Sequence, residues 1–225
     1  INAITKPIQL ASVALAAGGV ASAKFAIDFE DNFANVKKTV DGTPQQLQEV
    51  RQGIIDLSTT GIDGRNAIPQ TTAQLTELAA AGGQLGIKTE NIVGFTETMA
   101  QMGTATNLAG EQGAKTLALF MNVAGVSQDQ VGNLGSSIVD LGNNFATTEA
   151  EIADMAMYMG STGANVGISA QDVLAYSTAL SSLGAEAASG GSAVSRIWMQ
   201  MHQSVAEGGE DLETFAELSL SLIHI

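Results

Sequence analysis

Glu149, Glu151 and Asp154 crowd three carboxylates into one short stretch, the kind of cluster that can share a proton or hold a divalent cation. Either chemistry needs convergent partners from elsewhere in the chain. The sequence identifies none, so a solvated helix face is the expectation. Histidine, the usual general base near neutral pH, occurs twice, as His202 and His224. His202 stands beside Trp198, Met199 and Met201 in an apolar helical pattern, where a packed or surface side chain is expected. His224 falls in an atypical terminal run, Leu220 to Ile225, set apart as residues 219–225. With no cysteine in the chain, disulfides, thiolate metal ligands and Cys nucleophiles are excluded, although this says nothing about compartment. The fragment Gly110-Glu111-Gln112-Gly113-Ala114-Lys115-Thr116 has the look of a phosphate loop. A Walker loop, however, needs glycines where Ala109 and Ala114 stand. Lys115 reads better as a long cation reaching solvent from a helix face. The expectation is a protein with no catalytic, cofactor-binding or metal site.

Charge narrows the partners. The formal net charge is −14, and from Thr116 through Ser195 there is no Lys or Arg, while Asp129, Asp140, Glu149, Glu151, Asp154, Asp172 and Glu186 are acidic. Nucleic-acid binding requires basic groups that displace condensed counterions, so direct DNA or RNA binding by this segment is disfavoured. The acidic face keeps an otherwise apolar chain in solution.

The elements that would position any site are helices. Hydrophobic residues make up 45% of the 225 positions but aromatics only 4%, so the core is built of Ala, Leu, Ile, Val and Met. Proline occurs only at 7, 44 and 69, leaving glycine to punctuate the rest. Phe25, Phe29, Phe33 and Val36 predict an amphipathic helix over 21–40. Thr43, Pro44 and Gln46 then form a capping box with proline in the first turn, opening a helix striped by Leu47, Val50, Ile54 and Leu57. A loop is predicted over 61–69 and a helix over 71–81, stopped by Gly82-Gly83. Ile152, Met155 and Met159, behind a Thr148/Glu151 capping box, exclude a strand reading of 152–158. The fold class is all-α.

The N-terminal run 7–23 is uncharged, and Ala21-Ser22-Ala23 has the form of a signal-peptidase site. Its wealth of Ala, Gly and Ser and its shortness argue instead for a helix packed closely through small residues, with membrane contact through 7–23 as the secondary reading. The chain begins with Ile1, which is the expectation for a fragment.

Glycines set a repeat. Gly86, Gly125 and Gly167 each open a segment that closes 17 residues later, at Gly103, Gly142 and Gly184. At an offset of 81, Ile92 aligns with Val173, Phe95 with Tyr176, Met99 with Leu180, Gly110 with Gly191 and Lys115 with Arg196. A period near 40 argues for one reused supersecondary unit. Each unit reads as a helical hairpin. Its first helix is capped by Ser127 with Gln130, or by Ser169 with Asp172. Its second helix covers about 111–123, 148–159 or 192–205. Gly103, Gly142 and Gly184 are expected to end the first helices in the left-handed conformation. Helices and a connecting loop over 1–69 thus precede a helical-repeat region over 70–218.

Three segments together resemble a known family. These are Asp28-Phe29-Glu30-Asp31-Asn32-Phe33-Ala34-Asn35-Val36-Lys37, then Leu78-Ala79-Ala80-Ala81-Gly82-Gly83. The third runs from Gly167-Ile168-Ser169 through Leu183-Gly184 to Gly190-Gly191-Ser192-Ala193-Val194-Ser195-Arg196. In composition, order and spacing they resemble the conserved core region of phage tail tape measure proteins, over about residues 10 to 218. The resemblance implies a non-enzymatic assembly protein that occupies the lumen of the tail tube and sets tail length. It implies tail tube and tail tip or baseplate proteins, tail assembly chaperones and further copies of itself as partners. Its location would be the virion tail, and the host cytoplasm during assembly of a phage or prophage. The very long coiled-coil portion of that family is not within these residues, so the chain is expected to be a core module of a larger protein. The alternative is a bacterial helical-repeat scaffold or interaction module, secreted in one version of that reading.

Overall fold

The computed structural model describes residues 19–62, 67–108, 110–208, 213 and 217, with side-chain surroundings from Phe25 onward. Residues 7–18 of the apolar run, His224 and the terminal run Leu220 to Ile225 lie outside them. Among the described residues there are nine α-helices and no strand: α1 Gly19–Thr39, α2 Pro44–Thr59, α3 Thr72–Gln84, α4 Ile92–Ala105, α5 Gly110–Ala124, α6 Val131–Asn144, α7 Glu149–Val166, α8 Ala170–Ser182 and α9 Ala187–Glu207. No helix among them is long and apolar enough to cross a membrane. The chain divides into two compact units, residues 1–115 and 116–225.

In the first unit α3 is the helix on which α1, α2 and α4 pack. Phe29, Phe33 and Val36 turn inward from α1 and are buried, as the periodicity predicts, while Phe25 remains about half exposed. From α2, Val50, Ile54 and Leu57 are buried. The predicted stop at Gly82-Gly83 is corrected: α3 runs through both glycines to Gln84. They serve close approach instead. A Cβ at Gly83 would stand 2.7 Å from the Thr39 carbonyl oxygen, so only glycine lets α1 end there.

In the second unit α7 has the same central place, with α6, α8 and α9 packed on it. Ile152, Met155 and Met159 are fully buried, which fixes the helical reading of 152–158. The second helices of the predicted hairpins are longer than expected, reaching Gly110–Ala124, Glu149–Val166 and Ala187–Glu207.

Caps account for the helix starts. Thr43 Oγ1 accepts from the Gln46 N–H at 3.3 Å while the Thr43 N–H donates to Gln46 Oε1 at 2.9 Å. Thr148 and Glu151 form the same box at the entry of α7, and Thr71 with Gln74 forms it at α3. Ser169 Oγ caps α8 by accepting from the Asp172 N–H at 3.1 Å. The Ser127/Gln130 box is a correction. Ser127 makes no cap to the backbone and donates its hydroxyl to the Asp129 carboxylate, so a 3₁₀ turn over Gln128–Gln130 precedes α6.

Candidate functional site

The feature that recurs in both units is a joint, built from the end of one helix, one left-handed glycine and the next helix. Gly86 has φ +82°, Gly167 has φ +84° and Gly125 has φ +67°, a region that L side chains enter only with strain. Behind each, the next N–H reaches back to a carbonyl of the helix just ended. Ile87 donates to Gly82 O at 3.0 Å, Ile168 to Gly163 O at 2.8 Å and Val126 to Met121 O at 2.8 Å. This is the six-to-one bond of a Schellman ending.

The joint brings a helical glycine against the following helix. A Cβ at Gly82 would stand 2.9 Å from Phe95 Cδ1 and 3.4 Å from Ile92 Cδ1; one at Gly163 would stand 2.8 Å from Val173 Cγ2. Gly82 and Gly163 are themselves 81 apart, as are Ile92 and Val173. Both Ile92 and Val173 are fully buried. The correspondence loosens further along: Phe95 and Met99 are buried, whereas Tyr176 is 50% exposed and Leu180 half-buried.

The closing glycines behave differently from expectation. Gly184 does take a positive φ, +79°. Gly103 and Gly142 do not: both lie inside helices, which end at Ala105 and Asn144 through Thr106 and Phe145 in extended conformation. An extended C-cap turns the chain without positive φ, so those helices end without help from glycine. Spacing alone could not separate this ending from the one at Gly184.

Two grooves open on these surfaces. One of about 590 Å³ in the second unit is lined by the turns Gly125-Val126-Ser127 and Gly167-Ile168-Ser169, with Gln130, Asn133 and Leu174. It has no titratable residue in its wall, and therefore no acid or base to offer. The other, about 820 Å³ in the first unit, has the amides Asn32, Asn35, Gln70, Gln74 and Gln84 in its wall together with Lys38, Glu77 and Glu111.

Of the carboxylates singled out from sequence, Glu151 is engaged in a helix cap. Glu151 Oε2 accepts from the Thr148 N–H at 2.9 Å, from its hydroxyl at 3.0 Å and from the Thr147 hydroxyl at 3.2 Å. The Thr148 backbone bond, then the two hydroxyls, hold its carboxyl below the usual range. Asp154 is exposed on the same helix and Glu149 half-buried. Asp129 is likewise lowered, by the Ser127 hydroxyl and then the Gln130 amide. Among the described residues no three His, Asp or Glu side chains are placed to hold a metal. His202 is exposed on α9, and Lys115 and Arg196 are exposed on α5 and α9.

Sequence reading missed two charged positions. Glu30 accepts from Arg51 Nε at 2.8 Å and from Lys37 Nζ at 3.4 Å. Partial burial works to raise the Glu30 carboxyl, but the Arg51 and Lys37 contacts outweigh it and the net shift is downward. Arg51 and Lys37 also lie over the rings of Phe29 and Phe33, at 5.1 and 5.4 Å from the centroids. The aromatic stripe of α1 was the available signal for this cluster. Glu97, buried in α4, accepts from the Gln101 amide at 3.1 Å.

Caps, close helix contacts and ion pairs are what these side chains build, and the class they define is an all-helical protein. The chain belongs to the family described as "Phage-related minor tail protein", which matches residues 51–223. It is a structural protein of the phage tail. It is also similar to a "Probable tape measure protein" of Halomonas phage phiHAP-1, with 24% identity over 162 residues. That match covers 68% of this chain and 19% of the relative, so the chain spans about a fifth of the length of the curated relative it matches. No solved structure matches.

Proposed function

We propose that these residues are the core module of a tape measure protein, with residues 70–218 as its helical-repeat part. In this role the longer protein occupies the lumen of the tail tube and sets tail length. The observation that carries the reading is the family match over 51–223 together with the similarity to a protein named as a probable tape measure protein. The physical character of the chain supports it. Helices joined at glycines and packed through Gly82, Gly83 and Gly163 give slender, closely spaced elements suited to a narrow tube. A formal charge of −14 repels DNA passing through the same channel, so this segment takes proteins as its neighbours. Those neighbours are tail tube and tail tip or baseplate proteins, assembly chaperones in the host cytoplasm, and further copies of the chain. The work is assembly, without catalysis.

The experiment is a length series in the parent phage. In-frame deletions and duplications are made in the helical part of the protein outside these residues, and tails are measured by electron microscopy. Tail length should change in proportion, by about 1.5 Å per helical residue added or removed. Tails of unchanged length across the series would exclude the measuring role.

A further inference from the structure

The larger groove, in the first unit, is walled by α1, α3, α4 and the first turn of α5. Its volume of about 820 Å³ falls within the range of ligand clefts, about 300–1,000 Å³. Asn32 and Asn35 line it one turn apart on α1, and Gln74, Glu77, Ala81 and Gln84 line it as one stripe of α3. At 1.5 Å per residue that stripe is about 15 Å long.

The two grooves differ in what their polar groups are doing. In the second unit the Asn133 amide donates to Gln130 Oε1 at 2.7 Å, the Gln130 amide to Asp129 at 3.2 Å and the Ser169 hydroxyl to Asp172 at 2.6 Å, so these groups are satisfied by their neighbours. In the first unit Gln70 donates to the Ala100 carbonyl at 3.0 Å and Gln74 completes the cap of α3. The carboxamides of Asn32, Asn35 and Gln84, by contrast, make no hydrogen bond among the described residues. Each keeps two N–H donors and a carbonyl acceptor to offer from the wall.

That set of groups selects the ligand. The wall has no aromatic ring on which a base or sugar could stack, and its one cation, Lys38, stands with two carboxylates, Glu77 and Glu111, which disfavours a phosphate backbone. A helix would bring its main-chain groups already bonded to one another. An extended chain presents N–H and C=O groups outward along its whole length, and carboxamides, which donate and accept, match both. Alternate side chains of such a segment face the wall, where a large one would hold the main chain away from the carboxamides.

We propose that this groove binds an extended segment of a partner protein, about four or five small residues long at roughly 3.3 Å per residue, held through its main chain by Asn32, Asn35 and Gln84. The inference rests on the groove alone and is independent of the tape measure reading.

The test uses the 225-residue chain and a defined probe, the peptide acetyl-Ala-Ser-Ala-Ser-Ala-amide, followed by NMR of the side-chain amide groups. The resonances of Asn32, Asn35 and Gln84 should shift together and saturate as peptide is added. The same peptide with its main-chain nitrogens methylated has lost its N–H donors, and should bind about tenfold more weakly or worse. Asn35 and Gln84 are exposed, so Asn35→Ala with Gln84→Ala should leave the fold intact by circular dichroism while weakening the unmethylated peptide by about tenfold or more. Asn122→Ala, on an exposed position of α5 outside the groove, should leave binding unchanged. The proposal is overturned if the three side-chain amides do not shift up to the solubility limit of the peptide, if the methylated peptide binds as tightly as the unmethylated one, or if the double variant binds as tightly as the unsubstituted chain.

Discussion

Gly163 of α7 and Val173 of α8 approach so closely that a Cβ on the glycine would stand 2.8 Å from Val173 Cγ2. Val173 is fully buried and β-branched, so its methyl group has no easy rotamer to escape to. Gly163→Ala should therefore destabilise by about 1–2 kcal/mol, the overpacking outweighing the helix propensity gained. Val173→Ala removes the obstructing methyls. The double variant should lose less than the sum of the singles, with a coupling of about 0.5 kcal/mol or more in urea denaturation. Strict additivity would show that the two residues do not share the contact.

The glycines that look alike in sequence should respond in opposite ways. Gly184 has φ +79°, and Gly184→Val should cost roughly 1 kcal/mol or more and reduce assembled tails. Gly142 is helical, and a Cβ there meets only the flexible end of the Glu149 side chain. Gly142→Ala should be neutral or stabilising by up to about 1 kcal/mol. Thermal denaturation of the two variants separates these outcomes, and electron microscopy of lysates reports the tails.

Caps, not catalysis, should govern the carboxylates of α7. Thr148→Ala removes the hydroxyl that accepts from the Glu151 N–H and should cost about 0.5–2 kcal/mol. Glu151→Gln keeps an acceptor for the Thr148 N–H, and with Asp154→Asn and His202→Gln it should leave plaque formation nearly unchanged. Loss of infectivity in any of those three, with the fold intact by circular dichroism, would reveal chemistry at this helix.

Acid should weaken the α1–α2 contact in a defined window. The Glu30 carboxyl is held below its ordinary value near 4.5 in the folded state. Its contribution is therefore complete above that value and is lost as pH falls through the lower folded one. Its side chain is 44% exposed, so the contribution is screened to about 0.2–1 kcal/mol. The stability difference between the unsubstituted chain and Glu30→Gln should be constant from about pH 6 to 7 and vanish in strong acid. A difference that grew on acidification would contradict the sign.

Helix existence was legible because it depends on neighbours in sequence. The stripe Phe29, Phe33, Val36 and the Thr43 and Thr148 capping boxes are local patterns, and each forms at the position its spacing predicts. The opening glycines were legible for the same reason, since Gly86 and Gly167 each precede an apolar residue whose N–H closes the helix behind it. The family resemblance used that local order as well.

Sequence by itself therefore determined the class of fold and the helix starts at Thr43, Thr148 and Ser169, which follow from periodicity, capping and backbone sterics. Only the tertiary structure decided which glycines are turns and which are contacts. Gly82 and Gly83 look like helix stops, yet they are helical and, like Gly163, stand where a Cβ would collide with a neighbouring segment. The same holds for exposure. Phe120 and Met201 occupy equivalent positions on α5 and α9, and one is buried while the other is 40% exposed. No local pattern distinguishes them, because burial belongs to the neighbour that covers a side chain and not to the side chain.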